Sequence, residues 1–401
     1  MIIERMIKIN NKDLEYIFSN NPNKNKNIYK KDLIQHLPDI HLNNLKLGNI
    51  NYRFNPAEHR YQRSIDILRK DETIITTIDP PNYSSNSKFS STIVRDKMKA
   101  ENYLKNFGIR TPISYVFDKD DMLKAKNKIF EEDVEKVVIK PLYGSLGKGV
   151  MVNVSKNRFK ENWEEAIKFL HGSRKVIVQE YLSGFEARAT VIEGSLVAVI
   201  VRTPPYVIGD NERTLNQLID ISNKEKKECG VRSNLLIKKH INMYEFLRSN
   251  ELTLDYIPKD GEYVLLGSVS NVSNGGELVN ITDLVSEEIK EIALDTIASF
   301  NGMYTGGVDI MMQSFDDINP VVLEINAFPV LSITAFPTYG DQTHPSREYI
   351  NSVISIDQFK NNTEDKYDIK NEEEHVRNYL KFVTRKNNLF NKNYKEHSQY
   401  Y

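Results

Sequence analysis

The segment GGVDIMMQSFDDINPVVLEINAF (306–328) constrains the fold most, because it places polar side chains inside two apolar runs. Asp309 lies in the first run, and Glu324 and Asn326 lie in the second, with the turn SFDDINP between them. The pattern predicts a β-hairpin in which Glu324 and Asn326 share one face and Asp309 joins them from the facing strand. Carboxylates that face inward on apolar strands need a compensating partner such as a metal ion. Three oxygen donors on one face suit Mg²⁺.

A glycine-rich stretch, KPLYGSLGKGV (140–150), follows the apolar run VVIK and predicts a loop that holds phosphate. It fits neither the P-loop pattern nor G-x-G-x-x-G, because Val150 and Met151 follow Gly149. The glycines let backbone N–H groups approach a ligand closely, and Lys140 stands at the end of the predicted strand. Taken alone, the stretch is also compatible with a hairpin turn that carries a solvated lysine.

The stretch VQEYLSGFEARATVIEG (178–194) predicts two strands joined by a Ser-Gly turn. Glu180 and Glu186 lie on either side of this connection. A nucleotide needs such acceptors for its adenine amino group and its ribose hydroxyls. Two ordinary surface carboxylates beside a turn are the alternative interpretation.

Composition excludes several classes of function. Lysine and arginine number 54 and aspartate and glutamate 55, so no net field attracts nucleic acid or a membrane surface. The single cysteine, Cys229, cannot form an internal disulfide, and the charged N-terminus does not resemble a signal peptide. No apolar run approaches the roughly 20 residues of a membrane helix. We therefore expect a soluble cytoplasmic protein without nucleic-acid or membrane partners.

Short β-branched runs alternate with helical patterns along the chain, which predicts an α+β fold. Helices are expected over residues 95–107 and 286–300, the second with Ser286 as its N-cap. The first 93 residues are weakly informative, and only 72–78 looks strand-like. Strands are expected at residues 137–139, 176–178, 187–192, 196–201, 263–269, 306–311 and 321–325.

Taken together, these motifs resemble the ATP-grasp superfamily, with Lys97 in VRDKMKAENYLKNFGIRTP similar to its first phosphate-contacting lysine. Three further stretches are similar in order and wording to the ATP-grasp portion of cyanophycin synthetases and bifunctional glutathione synthetases. They are VAVIVRTPPYVIGDNERTLNQLIDISN (197–223), LDYIPKDGEYVLL (254–266) and SNVSNGGELVNITDLV (270–285). The resemblance covers roughly residues 94–355.

The resemblance implies an ATP-grasp fold with a small N-terminal α/β domain (1–93), an ATP-grasp domain (94–355) and a charged C-terminal tail (356–401). A lid subdomain is expected at about 110–182, and the tail is expected to hold a helix near 372–384. The implied activity is Mg-ATP-dependent carboxylate–amine ligation through an acyl phosphate, on amino acids or a short peptide. A homodimer is expected on the same ground.

The resemblance also assigns roles to residues. The nucleotide would contact Lys97, Lys140, Gly144, Ser145, Gly147, Lys148, Gly149, Gln179, Glu180, Tyr181, Leu182 and Glu186, with Glu180 and Leu182 at the adenine and Glu186 at the ribose. Two Mg²⁺ ions would be held by Asp309, Glu324 and Asn326. Arg188, Arg202, Asn271 and Ser273 would serve the reacting groups.

Two departures from the family leave alternatives open. The strand before Asn271 carries Ser268 or its neighbours where relatives usually have an arginine, so Arg202, Lys238 or Lys239 must substitute or activity is weakened. The chain also lacks the Mur-ligase-like and glutamate–cysteine ligase portions, so we expect neither of those two enzymes. A ligase that modifies a ribosomal peptide and an ATP-binding partner subunit with weakened catalysis are the alternative functions.

Overall fold

The computed structural model describes residues 9–21, 23–25, 28, 37–55, 64–79, 82–143, 149–170, 172–229, 233, 235–267, 270, 272–363 and 367–398. Its helices are α1 (Asn11–Asn20), α2 (Leu37–Leu47), α3 (Lys88–Arg95), α4 (Lys97–Lys105), α5 (Met122–Phe130), α6 (Phe159–Ile167), α7 (Leu215–Glu228), α8 (Ile241–Ser249), α9 (Glu287–Ser299), α10 (Leu331–Ala335), α11 (Pro345–Asn361) and α12 (Glu372–Ser398). Its strands are β1 (Asn51–Asn55), β2 (Ser64–Leu68), β3 (Ile74–Asp79), β4 (Asn82–Tyr83), β5 (Ser114–Asp118), β6 (Lys136–Pro141), β7 (Met151–Ser155), β8 (Lys175–Glu180), β9 (Phe185–Ile192), β10 (Ser195–Arg202), β11 (Tyr206–Ile208), β12 (Tyr263–Leu265), β13 (Leu278–Asn280), β14 (Gly306–Met312) and β15 (Val321–Asn326).

The central sheet is antiparallel and has the strand order β13-β10-β9-β14-β15. Alternate residues of its strands, such as Ala187, Val199 and Val308, are buried in one core with Ile289 and Ile297 of α9. Because side chains alternate along a strand, the residues between them, such as Arg188 and Asp309, point to the opposite face. One face of the sheet therefore packs against the hydrophobic core, and the other face carries charged side chains.

A second antiparallel sheet, β5-β8-β6-β7, spans Ser114 to Glu180 and packs on α5 and α6. It has a separate apolar core in which Trp163 and Phe159 of α6 are almost completely buried. The sheet occupies the stretch expected to form the lid subdomain. The boundaries of that subdomain remain a prediction.

The N-terminal strands form a third antiparallel sheet, β1-β2-β3-β4, whose core includes residues of α11. Helix α1 joins the core of the central sheet instead. A further small cluster joins Ile28 to Cys229 and Phe336, so the described part of residues 1–93 packs against the rest of the chain in several places. Strands β11 and β12 pair separately, and their core includes residues of α7 and α8.

The helix predicted over residues 95–107 is present as α4, and the strand predictions agree except at 263–269, where β12 ends at Leu265 and residues 268 and 269 lie outside the described ranges. Helix α4 begins later than predicted, at Lys97, because Asp96 has extended backbone and caps α4 by accepting from the N–H of Lys99. Ser286 caps α9 as predicted. No helix within the described ranges is long and apolar enough to cross a membrane.

Helix α12 extends the helix expected near residues 372–384 and docks on α9 and α11. Phe382 is buried against the turn between β9 and β10, where a Cβ on Gly194 would lie 2.5 Å from the ring. The ammonium of Lys386 donates to the backbone carbonyls of Ala298 and Phe300 at the end of α9. Phe382 and Lys386 therefore help to anchor the charged tail.

Lys386 should make stability depend on pH. Burial lowers its pKa to about 8, whereas lysine in an unfolded chain titrates near 10.4. Between about pH 8 and about pH 10.4 the unfolded chain binds more protons than the folded chain, so this group makes stability rise with pH across that window. We expect urea titrations from pH 7 to pH 10 to show this rise in wild type and not in Lys386→Met.

The matched control for this titration is Lys381→Met, which removes an exposed lysine from the same helix. Its pH profile should follow that of the wild type. A Lys386→Met profile parallel to the wild-type profile would show that the buried lysine does not titrate in this range.

Candidate active site

The polar face of the central sheet brings the predicted site residues together. Asp309 lies directly opposite Glu324 in the β14–β15 hairpin and directly opposite Arg188 on β9. Asn326 shares a face with Glu324 because it lies two residues further along β15. Arg202 of β10 reaches the same face through its contacts with β9 and β14. The predicted hairpin is thus present, with its three oxygen donors on one side.

Two arginines pair with the buried carboxylates of this face. Arg188 donates from Nε and from Nη2 to the two oxygens of Asp309, each at 2.6 Å. Arg202 donates from Nη2 to Glu186 at 2.6 Å and lies 3.4 Å from Asp309 Oδ2. Burial lowers the pKa of Arg188, but the charges of Asp309, Glu186 and Glu324 raise it more, so that the net shift is upward. All three carboxylates therefore stabilise the charged form of Arg188.

Helix α4 supplies a third cation. Lys97, at the start of α4, lies 3.1 Å from Glu324 Oε2, and both side chains are about one-third exposed. With this pair, three cations (Lys97, Arg188 and Arg202) balance three carboxylates (Glu186, Asp309 and Glu324). These six charges cancel among the described residues, so a cation and an anion that bind together would leave the balance unchanged.

Lys140 is brought to the same region by a chain of contacts. Its ammonium donates to Gln179 Oε1 at 2.9 Å, and Gln179 Nε2 lies 3.5 Å from Glu101. Glu101 follows Lys97 by four residues in α4, so the two lie on the same helix face. Lys97, Lys140 and Glu324 thus converge from three separate parts of the sequence. Glu101 is not among the residues predicted from sequence, although its i, i+4 spacing from Lys97 was a usable signal.

The end of β8 presents an acceptor and a donor that are unpaired within the described residues. One carboxylate oxygen of Glu180 accepts from the backbone N–H of Ile113 at 3.2 Å, and the other makes no hydrogen bond within the described ranges. The N–H of Tyr181 donates to the carbonyl of Lys136, whereas that of Leu182 has no acceptor among the described residues. One acceptor and one donor thus remain available two residues apart.

The glycine-rich loop is described only at its end. Gly149 has φ +71°, and a Cβ there would lie 2.6 Å from Phe169 Cβ, so both conformation and space require glycine. Gly144, Ser145, Gly147 and Lys148 lie outside the described residues, as does Asn271. Ser273 is exposed in a short 3₁₀ turn (Val272–Asn274).

The donor set fits magnesium better than a transition metal. Among the described residues, no group of three or more Asp, Glu, His or Cys side chains could hold a metal ion. Two carboxylates plus an amide oxygen instead leave coordination positions for phosphate and water, as Mg²⁺ prefers. Asn326 Nδ2 is buried and has no hydrogen-bond partner among the residues that the structure describes. Because an amide can present either end, this unpaired group is consistent with an Asn326 oxygen that faces an ion.

Comparison with known proteins identifies relatives of this chain. The ATP-grasp domain family matches residues 94–330. The chain is 28% identical over 279 residues to the glutathione biosynthesis bifunctional protein GshAB of Clostridium perfringens, a match covering 68% of this chain and 35% of that protein. It is 31% identical over 262 residues to cyanophycin synthetase of Synechocystis sp., covering 61% of this chain and 28% of that protein.

A likeness to solved structures shows the same fold. A bifunctional glutathione synthetase from Pasteurella multocida superposes with a TM-score of 0.61 at 22% identity, covering 81% of this chain and 44% of that chain. The chain spans about a third of the length of the curated relatives named above.

Proposed function

Because the chain belongs to the ATP-grasp family, we propose that it is an ATP-dependent ligase that joins a carboxylate to an amine. The observation that supports this most is the convergence of Lys97, Arg188 and Arg202 with Asp309 and Glu324 on one sheet face. Such a face can hold a polyanion together with the divalent cation that accompanies it. Amino acids and short peptides are the proposed substrates.

The proposed reaction has two steps. A substrate carboxylate oxygen attacks the γ-phosphorus of ATP, and the bond to the bridging oxygen breaks, so that ADP leaves with the electron pair. The amine nitrogen then attacks the acyl carbon, phosphate leaves, and the nitrogen loses a proton to solvent. No protein nucleophile is needed, because the enzyme aligns the reactants and neutralises charge.

Different residues of the chain would bind the phosphates, the adenine ring and the metal. Lys97 and Lys140 would bind phosphate oxygens, and the free donor and acceptor at Leu182 and Glu180 would bind the adenine ring. Asp309, Glu324 and Asn326 would hold magnesium, which would neutralise phosphate charge when bound. Arg188, which pairs with Asp309, would bind a phosphate oxygen when Asp309 holds the metal. Exclusion of water would come from the glycine-rich loop that ends at Gly149.

A substrate matrix tests this function. Purified protein with Mg-ATP is offered all amino acids singly, pairwise and with short peptides, and phosphate release and product mass are measured. We expect phosphate release that depends on a particular acid and amine, with a product mass equal to their sum minus water. Tight ATP binding without release from any combination would contradict ligase activity and favour a binding role.

We expect Lys140→Met to weaken Mg-ATP binding by about 10- to 100-fold, the scale of one hydrogen bond to a charged group. Isothermal titration measures the dissociation constant. The matched control is Lys136→Met, which removes an exposed lysine from the same strand, β6, and should leave affinity unchanged. Equal affinities of Lys140→Met and wild type would refute the phosphate-binding role of Lys140.

A further inference from the structure

A small cavity of about 220 Å³, here called the α7 cavity, is lined by α7, β11 and the segment 338–339. Glu277 also lines it, one residue before β13. Leu278 of β13 lies opposite Arg202 and shares its face, so Glu277 points to the other face of the sheet. The backbone keeps this alternation, because the carbonyl of Glu277 accepts from the N–H of Thr203 at 2.9 Å. The α7 cavity is therefore separate from the candidate active site.

The interior of the α7 cavity carries a buried ion pair. The ammonium of Lys226 donates to Glu277 Oε1, and the two side chains are only 6% and 13% exposed. The second oxygen of Glu277 accepts from Thr338 Oγ1 at 2.6 Å. A buried ion pair usually adds little to stability, because the cost of desolvation offsets the attraction. At the wall of a cavity, such a pair presents both signs of charge to a molecule that enters.

The outer part of the α7 cavity is apolar. Ile208 of β11 and Ile221 of α7 line it, and they are 41% and 40% exposed. The buried side chains of Val207 and Leu218 also belong to the lining. A ligand with an apolar end would remove the exposed isoleucine surface from water, which is favourable.

A second ion pair lies at the opening of the α7 cavity. Lys24 Nζ and Glu225 Oε2 are 3.3 Å apart, and both side chains are about half exposed. Exposed pairs of this kind contribute little to stability. The Lys24–Glu225 pair can therefore open to admit a small molecule at little cost.

These features fit a free amino acid with an aliphatic side chain. Pockets for drug-sized ligands usually measure about 300–1,000 Å³, so the α7 cavity suits a smaller molecule. The carboxylate of an amino acid would accept from Lys226 and its ammonium would donate to Glu277, both as charge-assisted hydrogen bonds. Its aliphatic side chain would cover Ile208 and Ile221. A simple anion or cation would match only one member of the buried pair.

We propose that the α7 cavity binds a free aliphatic amino acid at a site distinct from the one where substrates would be joined. Glu277 directly follows the segment 272–276, which carries Ser273. The N–H of Thr338 donates to the carbonyl of Leu278 at 2.7 Å, so the cavity wall is bonded to the edge of the central sheet. A bound amino acid would therefore fix groups beside the candidate active site, which is the position of a regulatory ligand.

The first test measures binding of L-leucine, L-isoleucine and L-valine by isothermal titration, without nucleotide. We expect saturable binding of at least one of the three at one site. For L-leucine, the comparison compounds are N-acetyl-L-leucine, which lacks the ammonium, and L-leucinamide, which lacks the carboxylate. Each should bind about 10- to 100-fold more weakly, the scale of one hydrogen bond to a charged group. Equal affinities of all three leucine compounds would overturn recognition by the ion pair.

The second test locates the bound amino acid. Ser222→Trp fills the α7 cavity from α7 and leaves both ion pairs in place, so it should abolish binding. The matched control is Lys224→Trp, which adds the same ring to an exposed position of α7 outside the cavity lining and should bind as wild type. Glu277→Gln, which keeps the side-chain size, should weaken binding about 10-fold or more. Circular dichroism verifies that each variant is folded.

Two results would overturn the proposal. Equal amino-acid affinities of Ser222→Trp and wild type would place the bound molecule elsewhere, for example at the candidate active site. Wild-type protein that binds none of the three aliphatic amino acids would leave the cavity without this ligand. Neither result bears on ATP-dependent ligation, which the substrate matrix tests separately.

Discussion

Glu324→Gln should reduce Mg-ATP-dependent phosphate release by about 100-fold or more, because it removes charge from the ligand set that neutralises the phosphates. The amide keeps the size of the side chain, and Glu324 is about one-third exposed, so the fold should be retained. A second readout is Mn²⁺ binding in the presence of ADP, followed by electron paramagnetic resonance. We expect bound Mn²⁺ to fall in parallel with phosphate release.

The matched control is Asp316→Asn, which removes an exposed carboxylate from the turn of the same β14–β15 hairpin. It should change neither turnover nor Mn²⁺ binding. Wild-type turnover in Glu324→Gln, with a normal circular dichroism spectrum, would remove the metal assignment from this strand.

Arg188→Met should destabilise the ligand-free protein by about 3 kcal/mol, because it leaves the buried Asp309 without its bidentate partner. Asp309 is 5% exposed, and its remaining cation, Arg202, lies 3.4 Å away and is shared with Glu186. The free energy of unfolding is measured by urea titration followed by circular dichroism. Saturating Mg-ATP should restore part of the loss, since a metal at Asp309 replaces the missing positive charge.

Arg174→Met serves as the control for the loss of an ion pair. Arg174 is more than half exposed and pairs with Asp118 and Asp120 on the surface, where such pairs contribute about 0 to 1 kcal/mol. Equal destabilisation by Arg188→Met and Arg174→Met would mean that burial does not strengthen the pair at the sheet face. The account of a charge-balanced site would then fail.

The β14–β15 hairpin could be predicted from sequence because its signal is local. Strand period and one polar turn place Asp309, Glu324 and Asn326 on one face, and the structure has that register. The pairing of Glu186 with Arg202 could not be predicted in the same way. It depends on the register of β9 against β10, which shifts at a bulge between Leu196 and Ala198.

Contacts between segments that are distant in sequence could not be predicted either. Phosphate binding by Lys97 and Lys140 is predicted from sequence, but nothing local indicates that their side chains contact Glu324 and Gln179. The first partner depends on the packing of α4 against β15, and the second on the pairing of β6 with β8. The docking of α12 through Phe382 is similar, because a charged, Asn-rich segment gives little indication of which face is buried.

A crystal structure with Mn²⁺ and the β,γ-imido analogue of ATP tests the central claim most directly. We predict anomalous density about 2.1 Å from the Glu324 carboxylate, with the phosphates between Lys97 and Lys140. Nucleotide bound elsewhere would contradict the account. One such place is the cavity of about 650 Å³ that includes Leu294, Phe382 and Arg385.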